Sequence, residues 1–344
     1  MSSWTVMLAG GVGSRFWPLS SPGRPKQLLA LVDDNSLLGN TLGRMAPLAP
    51  PERTLILTNA SLAGAVRALA PSVPAGNVIA EPRPAGTAAA LAWAAHEVAR
   101  RGGGDALLYC VHADWAIGDA TRYQATLREA GAAAAAHGAL VTVGIVPTRA
   151  DPGFGYIQPG APVEGTVRRV ARFAEKPSRE AAARMVAEGY LWNSGIFAWT
   201  AAAFLRELRA HCPQVARALD AHPNDLAAFF GAVTPVSVDV GVLERSASVL
   251  VVPGDFDWDD VGTWAALHRV RARDAGGNAV IGPVHLVESR DNVVHAEGKT
   301  VVLYGVDDLV VVARDGITMV TTREQSADLK SLLDALPASV RERP

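Results

Sequence analysis

Cysteine is nearly absent. Cys110 and Cys212 are the only two in 344 residues, and their spacing suits neither a metal site nor a redox pair. A disulfide-stapled scaffold and a cysteine-ligated zinc module are both excluded. Cys110 falls in the apolar run 106–111 and reads as an inert core residue. An excess of one charge is also missing. Lys and Arg number 32 against 34 Asp and Glu, a formal net charge of -2, so no global basic field recruits nucleic acid. No apolar run approaches the length of a membrane span, and no basic stretch precedes one at the N-terminus. The chain is therefore expected in the cytoplasm, without a membrane or nucleic-acid partner. Hydrophobic residues at 49% and charged ones at 19% exclude a disordered or collagen-like chain.

Two familiar phosphate loops are missing as well. The glycine-rich segment near the N-terminus has no Gly-Lys pair to make it a Walker A loop, and Phe16 stands where a dinucleotide fingerprint needs its third glycine. The chain carries instead Leu8-Ala9-Gly10-Gly11-Val12-Gly13-Ser14-Arg15-Phe16-Trp17-Pro18-Leu19, followed by Pro25-Lys26-Gln27. The string follows a short apolar run that reads as a buried strand. Glycines there let main-chain N–H groups approach an anion closely. Arg15 adds a forked cation and Lys26 a point charge, equipment for a nucleoside triphosphate.

Along the chain, strands are expected at 5–8, 54–58, 77–79, 106–111 and 140–145, with helices near 60–69, 87–101 and 121–137. Such alternation implies right-handed crossovers and a three-layer α/β sheet, with ligands beyond the carboxyl ends of its strands. The alanine-rich tract 132–136 belongs to the last of these helices. From 153 to about 264 the pattern is mixed, with strands at 167–175 and 195–200 and helices at 179–188 and 201–211. The stretch 278–320 reads as strands separated by turn pieces, closed by a helix over 326–336. No strict internal period marks a repeat solenoid. The expected division is a catalytic domain over 1–275, with halves at about 1–150 and 151–275, and a β-rich domain over 276–344.

Four further motifs carry chemistry. Glu81-Pro82-Arg83-Pro84-Ala85-Gly86-Thr87 offers a carboxylate able to accept from N–H donors. Thr87 equally reads as a helix N-cap. Asp114, in Val111-His112-Ala113-Asp114-Trp115, follows a strand and reads as a turn residue or as a Mg²⁺ ligand. Phe173-Ala174-Glu175-Lys176-Pro177 and Trp192-Asn193-Ser194-Gly195 pair an ammonium for a phosphate with a carboxylate and an amide for hydroxyls. Gly155 and Tyr156 permit a close backbone approach. Phe256-Asp257-Trp258-Asp259-Asp260-Val261-Gly262-Thr263-Trp264 sets an acidic pair between tryptophans.

Together, in this order, these motifs resemble the sugar nucleotidyltransferases, or nucleotide-sugar pyrophosphorylases. The Phe16-Trp17-Pro18-Leu19 and Pro25-Lys26-Gln27 pieces are most similar to members acting on mannose 1-phosphate. The resemblance implies a Rossmann-like mixed sheet of the glycosyltransferase-A-like type. It implies GTP and α-D-mannose 1-phosphate as substrates, GDP-mannose and pyrophosphate as products, Mg²⁺ as cofactor, and a homodimer is expected. Nucleotide binding falls to Leu8, Ala9, Gly10, Gly11, Gly13, Ser14, Arg15, Lys26, Glu81, Pro82 and Thr87. Sugar binding falls to Gly155, Tyr156, Glu175, Lys176 and Asn193. Arg15, Lys26 and Lys176 act in catalysis, and Asp114 and Asp260 hold the metal. Asp259 takes a variable position, where substitution is expected to change stability modestly at most. The family form has Arg-Asn where this chain has Ala85-Gly86, which leaves base identity open. Another sugar 1-phosphate or nucleotide, or a catalytically silent regulatory homologue, are the alternatives. The chain ends without room for the extra isomerase domain of some longer relatives, so one activity is expected.

Overall fold

The computed structural model describes residues 2–11, 15–314 and 316–341. Two compact units emerge, each assembled from separated segments.

The first unit comprises Met1–Gly10, Leu42–Ala113 and Asp119–Trp258. Its centre is a nine-stranded sheet in the order Val78–Glu81, Thr54–Asn59, Ser3–Leu8, Leu107–His112, Leu191–Thr200, Leu140–Ile145, Val249–Gly254, Val167–Ala174, Tyr156–Glu164. The first four strands run parallel, with Leu8 opposite both Leu57 and His112. Leu191–Thr200 then inserts antiparallel to both its neighbours. The expected α/β architecture is thus present, as a mixed sheet.

Alternation along one strand shows the three layers. Leu108 and Cys110 face a core shared with Ala88, Leu91, Ala92 and Ala95 of helix Thr87–Gly102. Leu107 and Tyr109 face the other way, so tightly that a Cβ on Gly131 of helix Ala120–His137 would lie 2.8 Å from Leu107 and 2.5 Å from the Tyr109 hydroxyl. Period-two side chains sorted between opposite helix layers are what a doubly covered sheet requires. Burial pushes the Cys110 thiol well above its usual range, which keeps it unreactive.

Most expected elements appear with boundaries shifted by a residue or two. Strands Val249–Gly254 and Tyr156–Glu164 and helices Pro213–Ala221 and Leu226–Ala232 are additions to the sequence expectation.

The second unit comprises Gly11–Thr41, Asp114–Gly118 and Asp259–Pro344. Phe16, Trp17 and Leu19 share one core with Trp264, Val293, Val310, Val312 and Leu329. Phe16 meets Trp264 edge-on at 5.2 Å, and the Trp264 indole N–H donates to the Trp17 carbonyl at 3.2 Å. The aromatic piece of the first motif is therefore core of this unit. The C-terminal strands form a short parallel coil in which Ala279 pairs Val293, Val293 pairs Val310, and Val284 pairs Val301. Asparagines close its turns. Asn292 donates to Asn278 Oδ1 at 3.0 Å and to the Val306 carbonyl at 2.9 Å, and its own Oδ1 accepts from Leu309 N–H.

A buried polar chain joins this coil to the early segment of the unit. Arg271, 4% exposed, donates to the Leu31 carbonyl at 2.6 Å and to His295 Nδ1 at 3.1 Å. An accepted bond at Nδ1 puts the imidazole proton on Nε2, which faces Glu297 at 3.4 Å. Glu297 in turn pairs with Arg24 and Arg314, and Arg314 donates to the Leu19 carbonyl.

Candidate active site

Within the first unit, the nucleotide-side residues gather at the carboxyl ends of parallel strands. Ala9 N–H donates to the Leu57 carbonyl, Thr58 Oγ1 to the Ala9 carbonyl, and Asn59 Nδ2 to the Gly10 carbonyl at 2.8 Å. Asn59 stands opposite Glu81 in the sheet register. Leu8, Ala9, Gly10 and Glu81 are therefore brought to the carboxyl ends of neighbouring strands, with Asn59, absent from the sequence motifs, holding the start of the glycine loop. Burial pushes the Glu81 carboxyl up to about 7. Pro82 is exposed beside it.

Thr87 behaves differently from the N-cap expectation. The helix cap is Gly86, with no side-chain capping bond. The Thr87 hydroxyl instead accepts from Val238 N–H at 2.9 Å.

Gly155, Glu175 and Asn193 converge. A Cβ on Gly155 would lie 2.7 Å from Glu175 Oε2 and 3.4 Å from the Asn193 Cβ, and Asn193 N–H donates to the Gly155 carbonyl at 2.8 Å. Only glycine leaves that carboxylate its place. The Phe154 ring, 4.9 Å from Trp192 and 5.4 Å from Trp258, fixes the loop. Tyr156 is expected to offer its backbone, and its side chain serves the framework. It is fully buried, and its hydroxyl bonds both the N–H and the carbonyl of Asp151 at 3.0 Å, so its phenol is not presented.

Asn193 Nδ2 donates to Asp239 Oδ1 at 2.9 Å, which gives Asp239 a place that its sequence neighbourhood did not. Burial, then the Asp239 and Glu175 charges, raise the Glu244 carboxyl above its usual range. Lys176 lies 3.6 Å from Glu175 Oε1 and is largely exposed. Its backbone sits at φ 41°, in the left-handed region. A non-glycine residue there costs about 1–3 kcal/mol, and such strain concentrates at functional sites.

The second unit holds Arg15, Lys26, Asp114 and Asp260. Gly13 and Ser14 lie outside the described residues, and Arg15 is exposed. Lys26 Nζ lies 3.1 Å from Asp114 Oδ2, 2.6 Å from the Asp260 carbonyl and 3.3 Å from the Val261 carbonyl. An ammonium has three N–H donors, and three acceptors face this one. Val261 takes φ 49° although β-branched, a strained turn that aims successive carbonyls at one cation. Buried Gln27, the last residue of Pro-Lys-Gln, donates to the Gly11 carbonyl at 2.9 Å.

The Asp260 carboxylate lies over Gly262, where a Cβ would meet Oδ2 at 2.7 Å. Asp259 corrects the sequence expectation. It is 5% exposed and accepts from Arg269 Nε at 2.8 Å and Nη2 at 2.7 Å, while Val261 N–H reaches its other oxygen at 2.9 Å. It is a framework residue of the turn.

Among the described residues, no three His, Cys, Asp or Glu side chains gather as a metal site. Mg²⁺ needs only one or two carboxylates, with phosphates and water completing its shell. Asp114 and Asp260 each offer carboxylate oxygen, the donor type this ion prefers, and Asp114 now pairs with Lys26.

The family model described as nucleotidyl transferase matches residues 4–276, and the chain belongs to that family. It is 36% identical over 356 residues to the mannose-1-phosphate guanylyltransferase of Escherichia coli, spanning 98% of this chain and 74% of the relative. The Klebsiella pneumoniae protein of the same description gives the same identity and coverage. A crystal structure from Thermus thermophilus, described as a mannose-1-phosphate geranyltransferase, superposes with a TM-score of 0.90 at 34% identity, covering 97% of this chain and 99% of that one.

Proposed function

We propose that the protein transfers the guanylyl group of GTP to α-D-mannose 1-phosphate, releasing pyrophosphate and forming GDP-mannose. The observation that carries the reading is the convergence of Gly155, Glu175 and Asn193 beside Lys176. A carboxylate and an amide recognise ring hydroxyls, and an adjacent ammonium neutralises the sugar phosphate. Likeness to the two guanylyltransferases supports guanine and mannose as the particular base and sugar.

A phosphate oxygen of mannose 1-phosphate attacks the α-phosphorus of GTP. The new P–O bond forms as the bond to the bridging oxygen of the β-phosphate breaks, and pyrophosphate carries away the electron pair. The nucleophile is already anionic at neutral pH, so no general base is required. Catalysis rests on alignment and charge neutralisation. Lys176 steers the nucleophile and Arg15 meets the triphosphate. Lys26 fixes Asp114 and the Asp260 turn, and reaches phosphate only by releasing an acceptor it now holds. Mg²⁺ held by Asp114 and Asp260 would supply charge neutralisation at the reacting phosphates. Leu8–Gly11 offer backbone to the nucleotide, and the Glu81 carboxylate accepts from guanine.

The family match over residues 4–276 supports 1–275 as the catalytic part, while 276–344, sharing a core with Phe16, Trp17 and Trp264, braces the unit that carries Lys26 and Asp260. Action in the cytoplasm as a homodimer completes the proposal. Both cysteines are unpaired, and no described helix is long and apolar enough to cross a membrane. Light scattering on the purified protein tests the dimer.

The deciding experiment is a pyrophosphate-release screen of four nucleoside triphosphates against several sugar 1-phosphates with Mg²⁺. The highest kcat/KM is expected for GTP with mannose 1-phosphate. Another pair at least about tenfold better, roughly 1.4 kcal/mol in the barrier, overturns the substrate assignment.

A further inference from the structure

Resemblance assigns Glu81, Pro82 and Thr87 of the 81–87 loop to the nucleotide, yet the second half of the loop is occupied elsewhere. Residues 83–88 are laced to residues 231–238. Arg83 Nη2 donates to the carbonyls of Gly231, at 3.1 Å, and Val233, at 2.5 Å. Val236 N–H donates to the Ala85 carbonyl at 3.4 Å, and Ala88 N–H to the Val236 carbonyl at 3.2 Å. Thr87 Oγ1 accepts from Val238 N–H at 2.9 Å.

The approach is close enough to dictate sequence. Gly86 has φ +80°, and a Cβ there would lie 2.2 Å from the Val236 carbonyl oxygen. No side chain fits that gap. Ala85 is fully buried against it. The Ala85-Gly86 pair, which departs from the Arg-Asn form, is therefore the pair that this contact demands.

The lacing ends one residue before Asp239. That residue opens the π-helical turn Asp239–Leu243 and accepts the Asn193 amide at 2.9 Å. The amide orientation of Asn193 therefore depends on where this turn starts. A hydroxyl on Val238 N–H sets that start.

We propose that Thr87 is a positioning residue for the sugar half of the site, acting through the Val238 N–H on Asp239 and thence on Asn193, and not a nucleotide ligand. The inference rests on the reading of Asn193 as a sugar ligand. Its consequence is a division inside one motif: Glu81 serves the base while Thr87 serves the sugar. Handling of the two substrates is then coupled through a single seven-residue loop.

Steady-state kinetics of wild type, Thr87→Val and Thr87→Ser test it, beside amide hydrogen exchange across 236–243. Valine keeps the branched shape and removes the acceptor. The KM for mannose 1-phosphate should rise roughly fivefold, as expected for losing one partly buried hydrogen bond, with the KM for GTP within about twofold of wild type. Exchange across 236–243 should quicken, and serine should restore both readouts. Should Thr87→Val not fold, Arg83→Met, at the more exposed end of the lacing, should raise the same KM more weakly. A rise confined to the GTP KM, or no change in either KM, overturns the proposal. If wild type turns over GTP only with a different sugar phosphate, the functional reading fails instead, and the same split is read with that sugar.

Discussion

Lys26 and Asp114 form an ion pair at 3.1 Å in which the same ammonium also grips the Asp260 carbonyl at 2.6 Å. One side chain therefore ties together the two segments that carry the proposed metal ligands. Lys26→Met should lower kcat and raise the KM for GTP. Asp114→Asn should lower kcat on the order of a hundredfold, as for loss of a charge stabiliser of the transition state. Because the residues act as one unit, the double variant should be less impaired than the product of the single effects. Strict multiplicativity in kcat would show that the pair is not coupled.

Neighbouring carboxylates 259 and 260 should separate stability from activity. Asp259→Asn weakens a charged interaction of a buried carboxylate with Arg269, whose side chain is 42% exposed and partly screened. The expected cost is about 1–3 kcal/mol of stability, read as a lower denaturation midpoint, with kcat largely kept. Asp260→Asn should do the reverse. Equal loss of activity in both variants would contradict the assignment.

Gly155→Ala places a methyl 2.7 Å from Glu175 Oε2. Glu175 is exposed enough to swing aside, so the fold should survive while the KM for mannose 1-phosphate rises several-fold. Gly11→Ala meets nothing within 4 Å and should leave stability unchanged. A Gly155→Ala enzyme with wild-type sugar kinetics would remove Glu175 from the site.

Glu81 gives a pH prediction with a definite sign. Burial raises its carboxyl from 4.5 to about 7 in the folded chain. Below pH 4.5 both states are protonated and no penalty arises. As pH climbs from 4.5 to about 7, the unfolded chain loses its proton first, so folding is progressively disfavoured. Glu81→Gln should therefore raise the melting temperature at pH 8 and hardly change it at pH 4.5. Guanine N–H groups need the ionised carboxylate, so wild-type GTP affinity should fall as pH drops through about 7. Calorimetry on wild type beside Glu81→Gln separates this from titration of the nucleotide. A parallel pH slope in both proteins would exclude Glu81 from base recognition.

His295 supplies the opposite sign. Burial and then the Arg271 charge hold its imidazole down at about 4. Between pH 6.5 and about 4 the unfolded chain takes up a proton that the folded chain refuses, so stability should fall as pH falls through that window. His295→Gln should flatten the acid limb of the melting profile. An unchanged limb would place the acid lability elsewhere.

The first half of the sheet was legible because each strand there is a buried apolar run followed by a helix. Its order was not. Strand Val249–Gly254 had a visible signal in Val249-Leu250-Val251-Val252, but its seat between Leu140–Ile145 and Val167–Ala174 depends on pairings across a hundred residues. The parallel C-terminal coil hid its period because successive turns are unequal, Ala279 to Val293 being shorter than Val293 to Val310. Glu175 and Asn193 were readable as a pair from motif chemistry alone. Asp239 was not, since only the fold brings it to the Asn193 amide. Asp259 misled for a related reason: its partner Arg269 lies on the following helix, and no spacing rule links a strand-end carboxylate to it.

The polar chain through Arg271, His295 and Glu297 bears on the order in which the protein can be made. The Leu31 carbonyl accepts from Arg271, the Arg24 guanidinium pairs with Glu297, and Trp17 Nε1 bonds the Arg341 carbonyl at 3.3 Å. A ribosome delivers residues 17–31 long before residues 271–341. The segment bearing Lys26 must therefore wait, unsettled, while more than two hundred residues emerge after it. The parallel strands of Ser3–Leu8, Thr54–Asn59 and Val78–Glu81 can form in the meantime. Until then Phe16 and Trp17 lack Trp264, Val293 and Val310, with which they share their core in the finished fold.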